Sequence, residues 1–424
     1  MAGSRLWAVW LTAGVLGVAS AAAPVASRHD QDASYAGVLD EHPSIQYARR
    51  PTTDRVKKLG EELARGEHAL QSDSRTGYLR SLLDALNLSP DSQLLVFSKT
   101  GVQSAFSGPQ HPRALYFDES VVVGYIPGAP LIEIATHDPQ QGVVFYTINQ
   151  RAEKPTPKRQ MTCLTCHVSA TTLGVPGMIA RSNIVGDDGN VMPRLGGNDV
   201  NHQTPHADRW GGWFVTSEGV APPYAQRAHE GNITFTTSGN TSNQVFVDWL
   251  DRRATDEGYL SESSDIVALQ IFDHEMYAIN LLTKMNWEAR IEGANSSTAA
   301  GVAALANQLA DYLLFVGEAP LASSLTARPA FAARLASRTP KDRRGRSFGQ
   351  LELVDRLFKY PCSFMIYSDA FDGLPALVKR AVYERMMTIL SGGDKSSRYA
   401  NLSAESRRAI LEILRDTKPD FTAS

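Results

Sequence analysis

Cysteine is scarce in this chain: Cys163, Cys166 and Cys362 are the only three in 424 residues. That is too few for the disulfide framework with which small secreted domains compensate for a thin core. Long apolar runs are lacking too. Beyond the N-terminus no stretch approaches the roughly 18 apolar residues that a membrane-spanning helix needs, so no membrane-spanning body is expected. An excess of positive charge is also missing. Lys and Arg number 42 against 45 Asp and Glu, for a formal net charge of -3, whereas a nucleic-acid binder usually carries a basic balance.

What is present begins with a leader. Arg5 supplies a positive start, Leu6 to Val18 an apolar stretch, and Ala19, Ser20 and Ala21 a run of small residues. Residues 1–21 therefore read as a secretory signal peptide, cleaved on export to the periplasm or another extracytoplasmic space. No cysteine follows the stretch, so no lipid anchor is indicated. Residues 22–53 are polar and aperiodic, and read as a flexible leader.

Two helical patterns come next, Thr53 to Leu70 and Tyr78 to Leu88. The texture then turns to short Val-, Ile- and Tyr-rich runs at Leu94 to Phe97, Val121 to Ile126, Leu131 to Ala135 and Val143 to Ile148. Turn signals at Pro127-Gly128 and Asp138-Pro139 separate them, which predicts a small antiparallel sheet. Residues 54–150 thus form a helix pair plus a small β region. Lys154 to Gln160 reads as a connector, and 171–245 as a long irregular stretch, a length usually reserved for function. The remainder is helical. Asp265 to Arg290 is apolar nearly all round and should be a buried central helix. Further helices are expected at Thr298 to Phe315, Pro329 to Ala336, Gly349 to Lys359, Leu374 to Leu390 and Ala404 to Asp416, the last capped by Ser403. The class is α+β, mainly α, with 151–424 as one irregular and helical region.

The chemistry concentrates in Cys163-Leu164-Thr165-Cys166-His167. Two thiols three positions apart can add across the two vinyl groups of a haem, and the adjacent imidazole then lies under the iron. From this chain's own Cys and His frequencies, a chance match is on the order of 5 in 10,000. A C-x-x-C redox pair would sit near a βαβ pattern in a reduced compartment. A zinc site would need a second close ligand pair, which the cysteines do not supply.

With this motif the sequence resembles the c-type cytochromes. Thr204-Pro205, Arg209-Trp210-Gly211-Gly212-Trp213 and Tyr360 to Asp369 more loosely resemble large bacterial extracytoplasmic cytochromes, a group to which no defined activity attaches. The resemblance implies one covalent haem c on Cys163 and Cys166, with His167 as proximal iron ligand. It departs from small cytochromes c in size, since they need only about a hundred residues and this chain has several times that.

The sixth iron ligand is open among Met178, His202, Met192 and His274. Met178 is near enough in sequence to cross to the distal face, and is equally describable as a core methionine. Met192-Pro193 resembles the Met-Pro pair of small cytochromes. His202 lies in a polar segment, and His274 sits on the buried helix, where a core role is the plainer reading. His206 and His229 read as surface histidines. Propionates need cations or donors, so Arg159, Arg181, Arg209, Trp210 and Trp213 are candidates, each also describable as a solvated arginine or core tryptophan. Gly211-Gly212 suggests close backbone approach, to the macrocycle among other neighbours. Cys362 reads as a buried inert thiol. Expected function is one-electron transfer with a redox partner protein; the competing class is a haem enzyme, peroxidase- or oxygenase-like, with an open distal site.

Overall fold

The computed structural model describes residues 42–186, 188–216, 258–293, 299–321 and 324–421, and the following concerns these residues. The expected signal peptide, most of the leader and His229 lie outside them.

The first helix, α1 (Arg55–Arg65), starts on Asp54, whose carboxylate accepts the N–H groups of Val56 and Lys57. It ends at Gly66 with φ of 72°, the left-handed turn that favours glycine. This stop falls five residues before the expected one. The second helix, α2 (Leu79–Ala85), follows.

Next come β1 (Leu94–Val96), β2 (Arg113–Phe117), β3 (Val121–Tyr125), β4 (Leu131–Asp138) and β5 (Gly142–Asn149). With β6 (Lys158–Arg159) and β9 (Trp213–Phe214) at its two edges, the described sheet has seven strands, all antiparallel, in the order β6-β5-β4-β3-β2-β1-β9. Its outer members correct the sequence reading. The expected connector contributes β6 (Lys158–Arg159), paired on β5 with Tyr146 opposite Arg159. From the stretch read as irregular comes β9 (Trp213–Phe214), which pairs on β1. That stretch also holds a two-stranded hairpin, β7 (Arg181–Asn183) with β8 (Gly197–Asp199).

Period-two alternation gives the large sheet two apolar faces. Tyr116, Val123, Ile134, Val144 and Tyr146 pack with Leu59, Leu79 and Leu82 of α1 and α2. Phe117, Val122, Val143 and Phe145 belong to the larger core built on the C-terminal helices. A sheet buried on both sides is a middle layer.

The long helix α4 (Ile266–Gly293) crosses that second face. Its start is capped by Asp265, which accepts the N–H groups of Val267 and Ala268 at 3.0 and 2.9 Å. At 1.5 Å per residue it spans about 40 Å. It is buried all round, as its apolar content requires, and Phe272 meets Phe117 of β2 edge-on at 5.2 Å. Around it stand α5 (Ala299–Leu313), α6 (Pro329–Arg338), α7 (Asp369–Asp372), α8 (Ala376–Leu390) and α9 (Ala404–Thr417). Ser403 caps α9 by accepting the N–H of Ser406. No helix among the described residues is long and apolar enough to cross a membrane.

One expected helix is absent: Gly349 to Lys359 is irregular, with a single bridge between Leu351 and Phe358. The Glu352 carboxylate accepts the N–H groups of Val354, Asp355 and Arg356, and Leu353 adopts φ of 64°. An acidic side chain has taken the amides that a helix would have bonded to its own carbonyls.

Candidate functional site

The motif follows directly from the sheet. Gln160 donates its backbone N–H to the Phe145 carbonyl at 2.8 Å, so β6 delivers the chain onto the face of β5 that looks toward α4. The short helix α3 (Leu164–His167) begins four residues later. His167 N–H bonds to the Cys163 carbonyl at 3.0 Å, which sets both thiols and the imidazole on one turn. All three cysteines are free thiols. Cys163 is half-buried against the core and Cys166 is exposed. Burial pushes the Cys163 thiol up, and the nearby Glu133 carboxylate adds to the effect.

His167 is held by one residue twice over. Its ring Nδ1 lies 2.8 Å from the Gly177 carbonyl, and its own carbonyl accepts the Gly177 N–H at 3.0 Å. A carbonyl can only accept, so Nδ1 carries the proton and Nε2 keeps its lone pair. Nε2 has no hydrogen-bond partner among the described residues. Phe145 packs on the ring, with centroids 4.6 Å apart. Burial lowers the pKa of the imidazole, the Gly177 carbonyl opposes that, and Arg113 reinforces it. The ring is thus neutral and in the tautomer that a metal-binding histidine needs, with its second nitrogen oriented by a carbonyl.

The charged groups nearest the motif are ones the sequence did not single out. Arg113 of β2 and Glu133 of β4 form an ion pair at 3.4 Å on the same sheet face as Phe145, with Gly124 packed against both. The expected propionate partners lie elsewhere. Arg159 donates to the Tyr47 carbonyl at 2.8 Å and stacks over that ring. Arg181 is exposed beside Asp199. Arg209 is buried, donating to the carbonyls of Thr204 and His202 and lying 3.8 Å from Asp273. Trp213 donates its indole N–H to the Arg181 carbonyl, while the buried indole N–H of Trp210 meets no acceptor among the described residues. Gly211-Gly212 does make a close approach, to protein backbone: Gly212 accepts from Phe97 and Ser98, and Gly211 accepts from Asn183.

No family model, no curated protein and no solved structure matches the chain.

The four candidate sixth ligands fall in three places. Met178 is buried, with its backbone N–H and carbonyl both bonded to the Asn280 side chain, at 2.7 and 2.8 Å. Met192 is 37% exposed, on the β7–β8 connection, held by its N–H on the Ile184 carbonyl. That connection is pinned to the sheet end, where Lys99 donates to the Gly189 carbonyl. At its base Thr171, four residues past His167, bonds to Asp199.

His202 and His274 are fully buried and bonded to each other, Nδ1 to Nδ1 at 2.8 Å. His274 Nε2 lies 2.7 Å from the Ser363 hydroxyl, which itself accepts the Met365 N–H. His202, His274 and Ser363 thus form one buried hydrogen-bonded chain, while His202 Nε2 meets no partner among the described residues. Burial holds the His274 pKa down to about 3 and lowers that of His202 well below its ordinary value, helped there by His274 and Arg209. His206, read as a surface residue, is buried, and its pKa too is lowered to about 3. Among the described residues no three His, Cys, Asp or Glu side chains converge on a metal position. Cys362 is fully buried and its thiol pushed up, as an inert core cysteine should be.

Proposed function

We infer that this chain is an exported monohaem c-type cytochrome, working in one-electron transfer with a redox partner in the periplasm or an equivalent space. The observation that carries the reading is His167. Its Nδ1 proton is committed to the Gly177 carbonyl and its Nε2 is bare, one turn from two free thiols. That donor set fits a covalently held haem: Cys163 and Cys166 would form the thioethers and His167 would ligate the iron. The bound group would supply a ferric/ferrous couple. The chain's own part is to present the imidazole neutral, fix its plane against Phe145 and set the charge beside it with Arg113 and Glu133.

As the sixth ligand we propose Met192. Met178 follows Gly177 directly, so its backbone sits on the Nδ1 side of the His167 ring, away from the bare Nε2. His274 spends both nitrogens, one on His202 and one on Ser363, and lies about 9 Å along α4 from Asn280, at 1.5 Å per residue; His202 is tied to it, Nδ1 to Nδ1, at 2.8 Å. The Met192 thioether is the exposed one of the four.

The test is to express the full chain in a host that exports it and attaches haem c. Haem staining of the denatured protein and optical spectra of both oxidation states are then recorded. Covalent haem with a low-spin ferric spectrum, unmoved by cyanide or peroxide, is expected. No covalent haem removes the reading, and a high-spin spectrum that responds to peroxide replaces carrier with enzyme.

A further inference from the structure

Pro176, Gly177 and Met178 are gripped from two layers of the fold. From the sheet, the Val143 N–H donates to the Pro176 carbonyl at 3.2 Å. From the central helix, Asn280 accepts the Met178 N–H on Oδ1 at 2.7 Å and donates from Nδ2 to the Met178 carbonyl at 2.8 Å. Asn280 is only 2% exposed, one of several polar side chains that the central helix buries. Contact with Gly177 is so close that a Cβ there would stand 2.3 Å from Asn280 Oδ1.

The Met178 N–H and the Gly177 C=O belong to the same planar peptide unit. Asn280 therefore holds one end of the amide whose other end holds the Nδ1 proton of His167. Hydrogen bonds in series through one amide polarise it, so accepting its N–H makes its carbonyl a stronger acceptor. We propose that Asn280 is a positioning residue for His167, acting through the 177–178 peptide to fix the imidazole plane and raise its basicity. This rests on reading His167 as the iron ligand. A more basic imidazole stabilises ferric over ferrous iron, so Asn280 holds the reduction potential down.

Asn286 provides a control on the same helix. It is equally buried and donates to the carbonyls of Pro139 and Gly373, away from the motif. Asn280→Ala and Asn286→Ala should both lower thermal stability, but only Asn280→Ala should raise the midpoint potential of the haem-loaded full chain. An unchanged potential in Asn280→Ala, or an equal rise in Asn286→Ala, overturns the proposal. Asn280→Asp keeps an acceptor for the Met178 N–H and strengthens it with charge, so its potential should stay at or below that of the wild type; a rise there also overturns it. This variant serves even where Asn280→Ala does not fold.

A haem-free full chain, carrying Cys163→Ser and Cys166→Ser, separates this inference from the cofactor reading. Nitrogen-15 NMR of its histidines should show His167 protonated on Nδ1. Asn280→Ala should shift the ring toward the Nε2 tautomer and Asn286→Ala should not. The same tautomer in all three chains overturns the clamp, whatever the wild-type chain does with haem.

Discussion

Replacing His274 with Phe tests the buried His202–His274–Ser363 chain on both its hydrogen bonds and its charge. The new ring fits between Tyr312 and Phe315, on which the imidazole now stacks at 5.0 and 4.5 Å. It orphans His202 Nδ1 and the Ser363 hydroxyl. At about 1–3 kcal/mol for each buried polar group left unsatisfied, less the gain from a more apolar ring, the variant should lose about 2–4 kcal/mol at pH 7. Acid should then narrow the gap. In the folded chain the His274 pKa is lowered from 6.5 to about 3. Between those values the unfolded chain binds a proton that the folded chain refuses, and stability falls as pH falls. The slope is about 1.4 kcal/mol per pH unit, so the wild type should lose about 2 kcal/mol through this residue by pH 5. Phe has no such loss. Urea unfolding of both proteins at pH 7, 6 and 5, followed by circular dichroism, reads the difference directly. A gap that stays constant across this range would falsify the assignment of His274 as a neutral, desolvated imidazole.

Other outcomes follow from the same geometry. Cys163→Ala together with Cys166→Ala should leave no haem on the denatured chain, whereas Cys362→Ala should leave the full amount, both read by haem staining. Met192→Ala should convert a low-spin ferric spectrum to high-spin at little cost in stability. Met178→Ala should keep the spectrum while costing about 2–5 kcal/mol as a core truncation; reversed spectra would return the ligand role to Met178. In the haem-free chain iodoacetamide should label Cys166 within minutes and Cys362 only on unfolding, as mass spectrometry of digests at graded urea would show.

Local signals were legible where local chemistry decides the structure. The runs at 121–126 and 143–148 are β-branched and bounded by Pro-Gly and Asp-Pro turns, and strands formed there. The helix at Ile266–Gly293 followed from an apolar surface too broad for anything but a core position. Elements decided at a distance were hidden. Trp213–Phe214 is two residues long and becomes a strand only because Leu95 and Val96 offer an edge. The 349–359 segment has helical spacing, but the Glu352 carboxylate captured its amides. The Cys163–His167 motif was readable because its residues are contiguous and share one turn. Its supports were not: Arg113, Glu133, Phe145, Gly177 and Asn280 reach it only through the fold. Asn280 left a faint trace, as one of three amides, with Gln270 and Asn286, in a largely apolar helix.

The pairing of β9 on β1 has a consequence for the order in which the molecule is made. Every strand from β1 to β6 precedes Cys163 in the chain, whereas β9, which completes the sheet on β1, follows it. The far side of β1 must wait for Trp213, and until then its backbone is an open edge. Such an edge is a template for pairing with a second chain. Everything between the two strands, the motif included, is drawn into a closed loop when that edge is filled. A chain cut short of Trp213 would keep the whole motif and leave that edge of β1 open.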